Sequence, residues 1–348
     1  MGSIVDWPEP VVYVQSLSES GTLVVPDQYI KPPPDRPTTW LTDMNIPVID
    51  MTGLISSREE TMKQVFEACR EWGFMQLVNH GVKTELLDGA RDIWQEFFHA
   101  PMEVKKKYAN SPKTYEGFGS RLGVEKGATL DWSDYYYLNY HPNCHTKWPA
   151  HPPHLRDIME EYSKEILRLG EVLLKVFSIN LGLEEDCLQN AFGGKHIGAC
   201  LRANFYPKCP QPDLTLGLSS HSDPGGMTFL LPDKRVTGLQ VRKDDQWITV
   251  KPVHNAIILN IGDQLQVLSN AKYKSVEHRV VVNPNEERVS LAYFYNPRNE
   301  MLIQPISELV TSESPALYPP MIFEEYRRFI RTKGPQGKLQ VESLKSTR

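Results

Sequence analysis

The chain has 348 residues, 40% of them hydrophobic and 23% charged, a globular composition with enough apolar material for one large domain or two closely joined ones. Its net charge of −5, with acidic and basic residues interspersed, argues against a nucleic-acid surface. No stretch approaches the roughly 18 consecutive apolar residues of a membrane span; Ile166 to Leu183 is broken by Arg168, Glu171 and Lys175 and reads as a core helix.

In chain order, MGSIVDWPEP lacks the apolar run of a secretory signal, and Asp6 stands where an acylated Gly2 would need Ser or Thr. Residues 1–44 are rich in Pro, Ser and Thr and read as an extended surface arm. Residues 45–195 read as mainly helical. IPVIDM (46–51) and FMQLVNHGV (74–82) are strand-like, Val65, Cys69 and Trp72 recur at helical spacing, and helices are expected near 84–98, 101–108, 153–180 and 184–191. Lys105-Lys106-Lys107 reads as a solvated helix face, and 111–148 as loop-rich with few clear periods, Gly117, Gly119 and Gly123 being loop glycines whose spacing fits no phosphate motif. From Gly198 short β-rich runs alternate with turn residues through about residue 300. The fold class expected is therefore an all-β core with flanking helices, a jelly-roll (double-stranded β-helix) behind a helical N-terminal portion. Residues 301–348 supply a helix, Phe323 to Arg331, and a polar tail.

The five cysteines, Cys69, Cys144, Cys187, Cys200 and Cys209, are odd in number and scattered. They predict free thiols in a reducing compartment, the cytosol by default.

His221 and Asp223 stand at i and i+2, which a strand projects to one face, and His278 opens a later β-run. Two imidazoles and a carboxylate on one face of a metal leave positions open, the arrangement of non-haem Fe(II) oxygenases. An H-x-D triplet alone is more often a turn or a surface pair. HPNCHTKWPAHPPH (141–154) has no standard zinc spacing and reads as a loop, while His80 and His99 read as structural. Arg288 and Ser290 stand at i and i+2 in a further β-run, suited to gripping one carboxylate; the plainer reading pairs Arg288 with Glu286 or Glu287.

The order HSD, H, RVS, with IPVIDM, WGFMQLVNHGV, NFYPKCPQPDLTLGLSSHSDPGGMTFL and QVRKDDQWITVKP, resembles the plant 2-oxoglutarate/Fe(II)-dependent dioxygenases over nearly the whole chain. The resemblance implies Fe(II) on His221, Asp223 and His278, and 2-oxoglutarate held by Arg288 and Ser290 with Asn204 and Tyr206 near its chelating end. O₂ would be the oxidant and ascorbate the reductant. On this resemblance 45–195 is the N-terminal dioxygenase region, 196–300 the catalytic jelly-roll, and 301–348 completes the substrate pocket. TYEGFGSRLGVEKGATLDWSDYYYL (114–138) and FIRTKGPQGKLQVES are similar to jasmonate-induced oxygenases. That similarity implies a small carboxylate substrate, jasmonic acid, hydroxylated at C12, with Arg202, Arg327 and Arg331 on its acid group and Phe294 against its body. From the residues alone, Arg327 and Arg331 lie one turn apart beside Phe323, and an exposed basic helix end remains open.

A flavonoid oxygenase, with Tyr135, Tyr136, Tyr137 and Phe294 stacking on substrate, stays as an alternative. So does a zinc hydrolase using the same triad; a catalytically silent hormone-binding protein fits the complete ligand set poorly. A monomer is expected, with no nucleic-acid or membrane partner.

Overall fold

The computed structural model describes residues 6–38, 44–140, 146–334 and 337–345. Its strands are β1 (Val48–Asp50), β2 (Phe74–Val78), β3 (Gly117–Gly119), β4 (Asp134–Tyr140), β5 (Gly198–Tyr206), β6 (Leu218–His221), β7 (Met227–Leu231), β8 (Leu239–Lys243), β9 (Gln246–Thr249), β10 (Ile257–Ile261), β11 (His278–Val280), β12 (Arg288–Asn296), β13 (Leu302–Ile303) and β14 (Met321–Ile322). The helices are α1 (Val14–Glu19), α2 (Gly53–Ser56), α3 (Arg58–Glu71), α4 (Thr84–His99), α5 (Met102–Lys106), α6 (Leu155–Asn180), α7 (Cys187–Ala191), α8 (Asp263–Leu268), α9 (Phe323–Lys333) and α10 (Leu339–Glu342). The expected N-terminal helices are present, their ends shifted by a few residues.

Period-two patterning builds the centre. In β12, Val289, Leu291, Tyr293 and Tyr295 join the main core, with Ala199, Leu201, Ala203 and Phe205 of β5 and Met227, Phe229 and Leu231 of β7. Against this face lie α4 and α6, the latter through Tyr162, Ile166, Leu169, Leu173 and Phe177 at helical spacing. The eight-stranded sheet has the order β1-β2-β10-β7-β12-β5-β4-β3, and a four-stranded sheet, β6-β11-β8-β9, stands apart from it. One cavity is lined by the opposite face of the large sheet and by β6, β8 and β11 of the small one. This is a jelly-roll, with β1 to β4 hydrogen-bonded into the same large sheet as β5, β7, β10 and β12.

Three expectations fail for identifiable reasons. The loop-rich stretch 111–148 also holds β3 and β4, which carried no clear period. The run DYYYLNY shows no apolar–polar alternation because Tyr136, Leu138 and Tyr140 enter the core while Tyr135 and Tyr137 line the cavity. Gly117 is no free loop glycine: its φ is +116°, and a Cβ there would lie 2.2 Å from the Tyr108 carbonyl oxygen. Lys105 is buried, its ammonium donating to the Phe98 carbonyl and to Gln15, so the lysine run is not wholly a solvated face. Nor does the arm simply lie extended on the surface. Helix α1 forms within it, and Val14, Val25 and Tyr29 are buried against Trp132, Tyr206, Leu218 and Val280.

Candidate active site

Strands β6 and β11 run antiparallel with His221 and His278 as direct partners, which brings their ring centroids to 4.2 Å. Asp223 follows where the chain leaves β6, its Oδ1 3.6 Å from His221 Nε2 and 3.8 Å from His278 Nε2. One candidate donor atom from each residue lies within 4.8 Å of the others, the one such cluster among the described residues. Of the 141–154 run, residues 141–145 lie outside the described residues.

Each donor is oriented from behind. His221 Nδ1 is 2.8 Å from the Ser219 carbonyl and His278 Nδ1 3.1 Å from that of Val276; with Nδ1–H donating, each Nε2 lone pair is left for a metal. Asp223 Oδ2 accepts from Thr228 Oγ1 at 2.6 Å and Asn260 Nδ2 at 2.8 Å, leaving Oδ1 toward the imidazoles. Burial and then the neighbouring His278 hold His221 down at about 4, against the opposite pull of Asp223 and Ser219. Burial alone would raise Asp223, but His278, His221, Asn260 and Thr228 together keep it below the ordinary carboxylate range. Two imidazoles and a carboxylate so arranged are the donor set of a borderline divalent cation. His80 bonds the Asn255 carbonyl and the Val82 amide, and His99 pairs with Glu287 at 2.6 Å. Both serve structure, as expected.

Register assembles the rest of the site. Along β5 and β12, Tyr206 faces Arg288, Asn204 faces Ser290, Arg202 faces Ala292 and Cys200 faces Phe294; β4 adds Tyr135 beside Asn204 and Tyr137 beside Arg202. Arg288 is buried, 3.4 Å from the Ser290 hydroxyl and stacked over the Tyr206 ring at 5.1 Å. With His99 on Glu287, the pairing of Arg288 with Glu287 does not form. Arg288 Nε and Asn204 Oδ1 are buried with no hydrogen-bond partner, and such a group costs about 1–3 kcal/mol unless a bound molecule satisfies it. An anionic oxygen fits beside the first, so the residues present suit a dicarboxylate between Arg288 and the metal donors.

Across the same cavity, Arg327 Nη2 and Arg331 Nη2 each lie 3.3 Å from the Tyr137 hydroxyl. Arg202 stacks 4.3 Å over Tyr135, its Nε also buried without a partner. Arg327 is further held by Asn299 at 2.6 Å and by the Phe323 ring. All eleven residues singled out from the sequence line one cavity of about 220 Å³. Sequence reasoning missed Thr228, Asn260 and the hydroxyl of Tyr137, whose partners lie on the turn after β6 or on α9; no local motif marks them.

A sequence profile described as the 2OG-Fe(II) oxygenase superfamily matches residues 197–297, and one described as the N-terminal region of the non-haem dioxygenase in morphine synthesis matches 46–156. Jasmonate-induced oxygenase 2 of Arabidopsis thaliana is 60% identical over 357 residues, covering 100% of this chain and 96% of that protein. The chain belongs to the 2OG-Fe(II) oxygenase superfamily. Flavanone 3-dioxygenase 2 of Oryza sativa subsp. japonica is 38% identical, covering 90% of this chain and 92% of that one. The crystal structure of JOX2 in complex with 2OG, Fe and JA is 60% identical, covers 98% of this chain and 100% of that chain, and superposes with a TM-score of 0.92. As a member of this superfamily the protein is a 2-oxoglutarate-dependent Fe(II) dioxygenase, which removes the zinc-hydrolase reading.

Proposed function

We propose that this dioxygenase hydroxylates jasmonic acid at C12 and so lowers the supply of active hormone precursor. His221, Asp223 and His278 would hold the iron, Arg288 and Ser290 the distal carboxylate of 2-oxoglutarate, and Asn204 and Tyr206 the region of its chelating end. Iron bound there with 2-oxoglutarate and O₂ supplies the oxidising power to hydroxylate an unactivated C–H bond, the cosubstrate leaving as succinate and CO₂. The chain's own part is positioning. Arg202, Arg327 and Arg331 take the substrate's carboxylate while Phe294 and Leu230 offer apolar surface to its body, so that one C–H bond is presented to the metal.

The observation that carries this reading is the grouping of three guanidiniums at one part of an otherwise largely apolar cavity that also holds the His–Asp–His cluster. The crystal structure of the 60% identical JOX2 in complex with 2OG, Fe and JA supports it. A flavonoid is the second reading, supported by the aromatic wall of Tyr135, Tyr137 and Phe294 and by the flavanone dioxygenase relative; a neutral flavonoid leaves the three arginines unmatched. Cytosolic location and a monomer belong to the same proposal; free Cys69, Cys187, Cys200 and Cys209 support the location.

Mass spectrometry after incubation with Fe(II), 2-oxoglutarate, ascorbate, and either jasmonic acid or a small flavonoid panel tests the assignment. A singly hydroxylated acid formed only with 2-oxoglutarate and O₂ is expected. Unchanged jasmonic acid beside an oxidised flavonoid would reverse the order of the two readings.

A further inference from the structure

We propose that Lys31, on the N-terminal arm, is a positioning residue for the metal-binding imidazole of His221. Lys31 is 3% exposed, and its ammonium donates to Asp131 Oδ1 at 2.8 Å, to Ser219 Oγ at 2.8 Å and to the Leu130 carbonyl at 2.9 Å. An ammonium has three protons, and all three are used. The same Asp131 oxygen accepts the Ser219 amide at 3.0 Å and the Ser219 hydroxyl at 2.6 Å. Ser219 is thus gripped through both its backbone and its side chain, and its carbonyl accepts the His221 Nδ1 proton.

The seat is built by three segments distant in sequence. Leu130 N bonds Gln28 O, Lys31 N bonds Leu214 O, and Trp132 N bonds Leu216 O. Lys31 lies 188 residues before Ser219, so an arm with no cavity-lining residue among its described residues fixes the strand end that carries the metal donors. A carbonyl held in this way sets the tautomer and ring plane of His221, and loss of such outer partners weakens metal binding by roughly 10- to 100-fold. The effect runs through Asp131 and Ser219; Lys31 touches neither metal nor substrate.

This inference rests on His221 being a metal ligand, and the experiment separates the two. Full-length protein stripped of metal is titrated with Co(II), read by its visible d–d absorption, with thermal unfolding of the metal-free protein measured alongside. Wild type binding Co(II) and H221A failing to bind it establishes the ligand. Lys31→Met and Asp131→Asn are then expected to weaken Co(II) binding about 10-fold or more and to alter the band shape, which reports ligand geometry. Ser219→Ala keeps the carbonyl and loses one grip, so a smaller loss, on the order of a few-fold, is expected of it; it decides the matter if the other two fail to fold. Lower thermal stability with Co(II) affinity and band shape unchanged would show that Lys31 merely fastens the arm, and would overturn the inference while leaving the metal site standing. H221A binding Co(II) as wild type does would overturn both.

Discussion

The phenol of Tyr137 accepts one hydrogen bond from Arg327 and one from Arg331, each at 3.3 Å, and donates its own proton to Asn139 Oδ1 at 3.2 Å. Two like charges a single helical turn apart repel and would splay without a shared acceptor. If the two arginines take the substrate carboxylate as proposed, the hydroxyl holds both guanidiniums in place before it arrives, and ordering done in advance does not subtract from binding. Tyr137→Phe leaves the ring and removes that acceptor. The expected result is a KM for the acid raised roughly 5- to 30-fold, corresponding to about 1–2 kcal/mol, with kcat little altered. Steady-state kinetics on the acid and on its methyl ester check this, since an ester without a full charge should be almost insensitive to the change. At this scale the site was only partly legible. His221 with Asp223 and Arg288 with Ser290 stand out by i, i+2 spacing, and His278 by opening a β-run. Tyr137 sits inside an aromatic run whose members look alike until register shows that Tyr136 faces the core and Tyr137 the cavity. Thr228 and Asn260 carry no local signal at all, because their partner Asp223 reaches them across turns.

Helix α9 brings Arg327 and Arg331 to the cavity, and its placement depends on Tyr326, whose hydroxyl donates to Asp263 Oδ2 at 2.7 Å. Asp263 in turn accepts from Ser222 Oγ at 3.2 Å, and its amide bonds the Asp223 carbonyl at 2.8 Å. The helix with the arginines and the loop with the metal donors are thereby tied to one buried carboxyl. Tyr326→Phe should cost about 1–3 kcal/mol of stability for a buried bond lost to a charge-bearing acceptor, and KM for the acid should rise as α9 loses its tether. A melting curve and a KM measurement on the same preparation test both; a drop in melting temperature with KM unchanged would show that α9 keeps its place without this bond. On the other side of the sheet, α6 passes so near β12 that a Cβ on Gly170 would sit 2.4 Å from the Tyr295 ring. Gly170→Ala, although alanine favours helix, should therefore destabilise by about 1–3 kcal/mol through overpacking, seen as a lower urea midpoint with kcat per folded molecule preserved. Elements with a clean period were legible from residues alone: α4, α6 and the β-runs after Gly198. Strand β4 was not, because it is buried on both faces, and α1 was not, because six residues make a helix only with help from elsewhere.

That help for α1 comes from Asp134, at the start of β4, and it links the arm to the whole molecule. Its carboxylate accepts the Val14 amide at 2.9 Å and the Gln15 amide at 2.8 Å, the unsatisfied donors of the first turn, and also the Ser120 hydroxyl. Burial nevertheless dominates and raises this carboxyl from 3.8 to about 6, with Ser120, the two amides and Lys105 pulling the other way. A carboxyl whose pKa is raised on folding keeps its proton in the native state at a pH where the unfolded chain has already released it. Its contribution to stability is therefore greatest below the unfolded value and is lost as pH climbs from about 4 to about 6. Above that window the folded protein carries a buried charge which α1, Ser120 and Lys105 only partly compensate. We expect the unfolding free energy of wild type, relative to Asp134→Asn, to fall by on the order of 2–3 kcal/mol across that window. Urea unfolding of both proteins at half-unit pH steps measures it, and the subtraction cancels every other titrating group. A difference that stays level from pH 4 to 6.5 would mean that the amides of α1 hold Asp134 ionised throughout. In that case the arm would be fastened as firmly in acid as at neutral pH, and Lys31 behind His221 would stay seated at both.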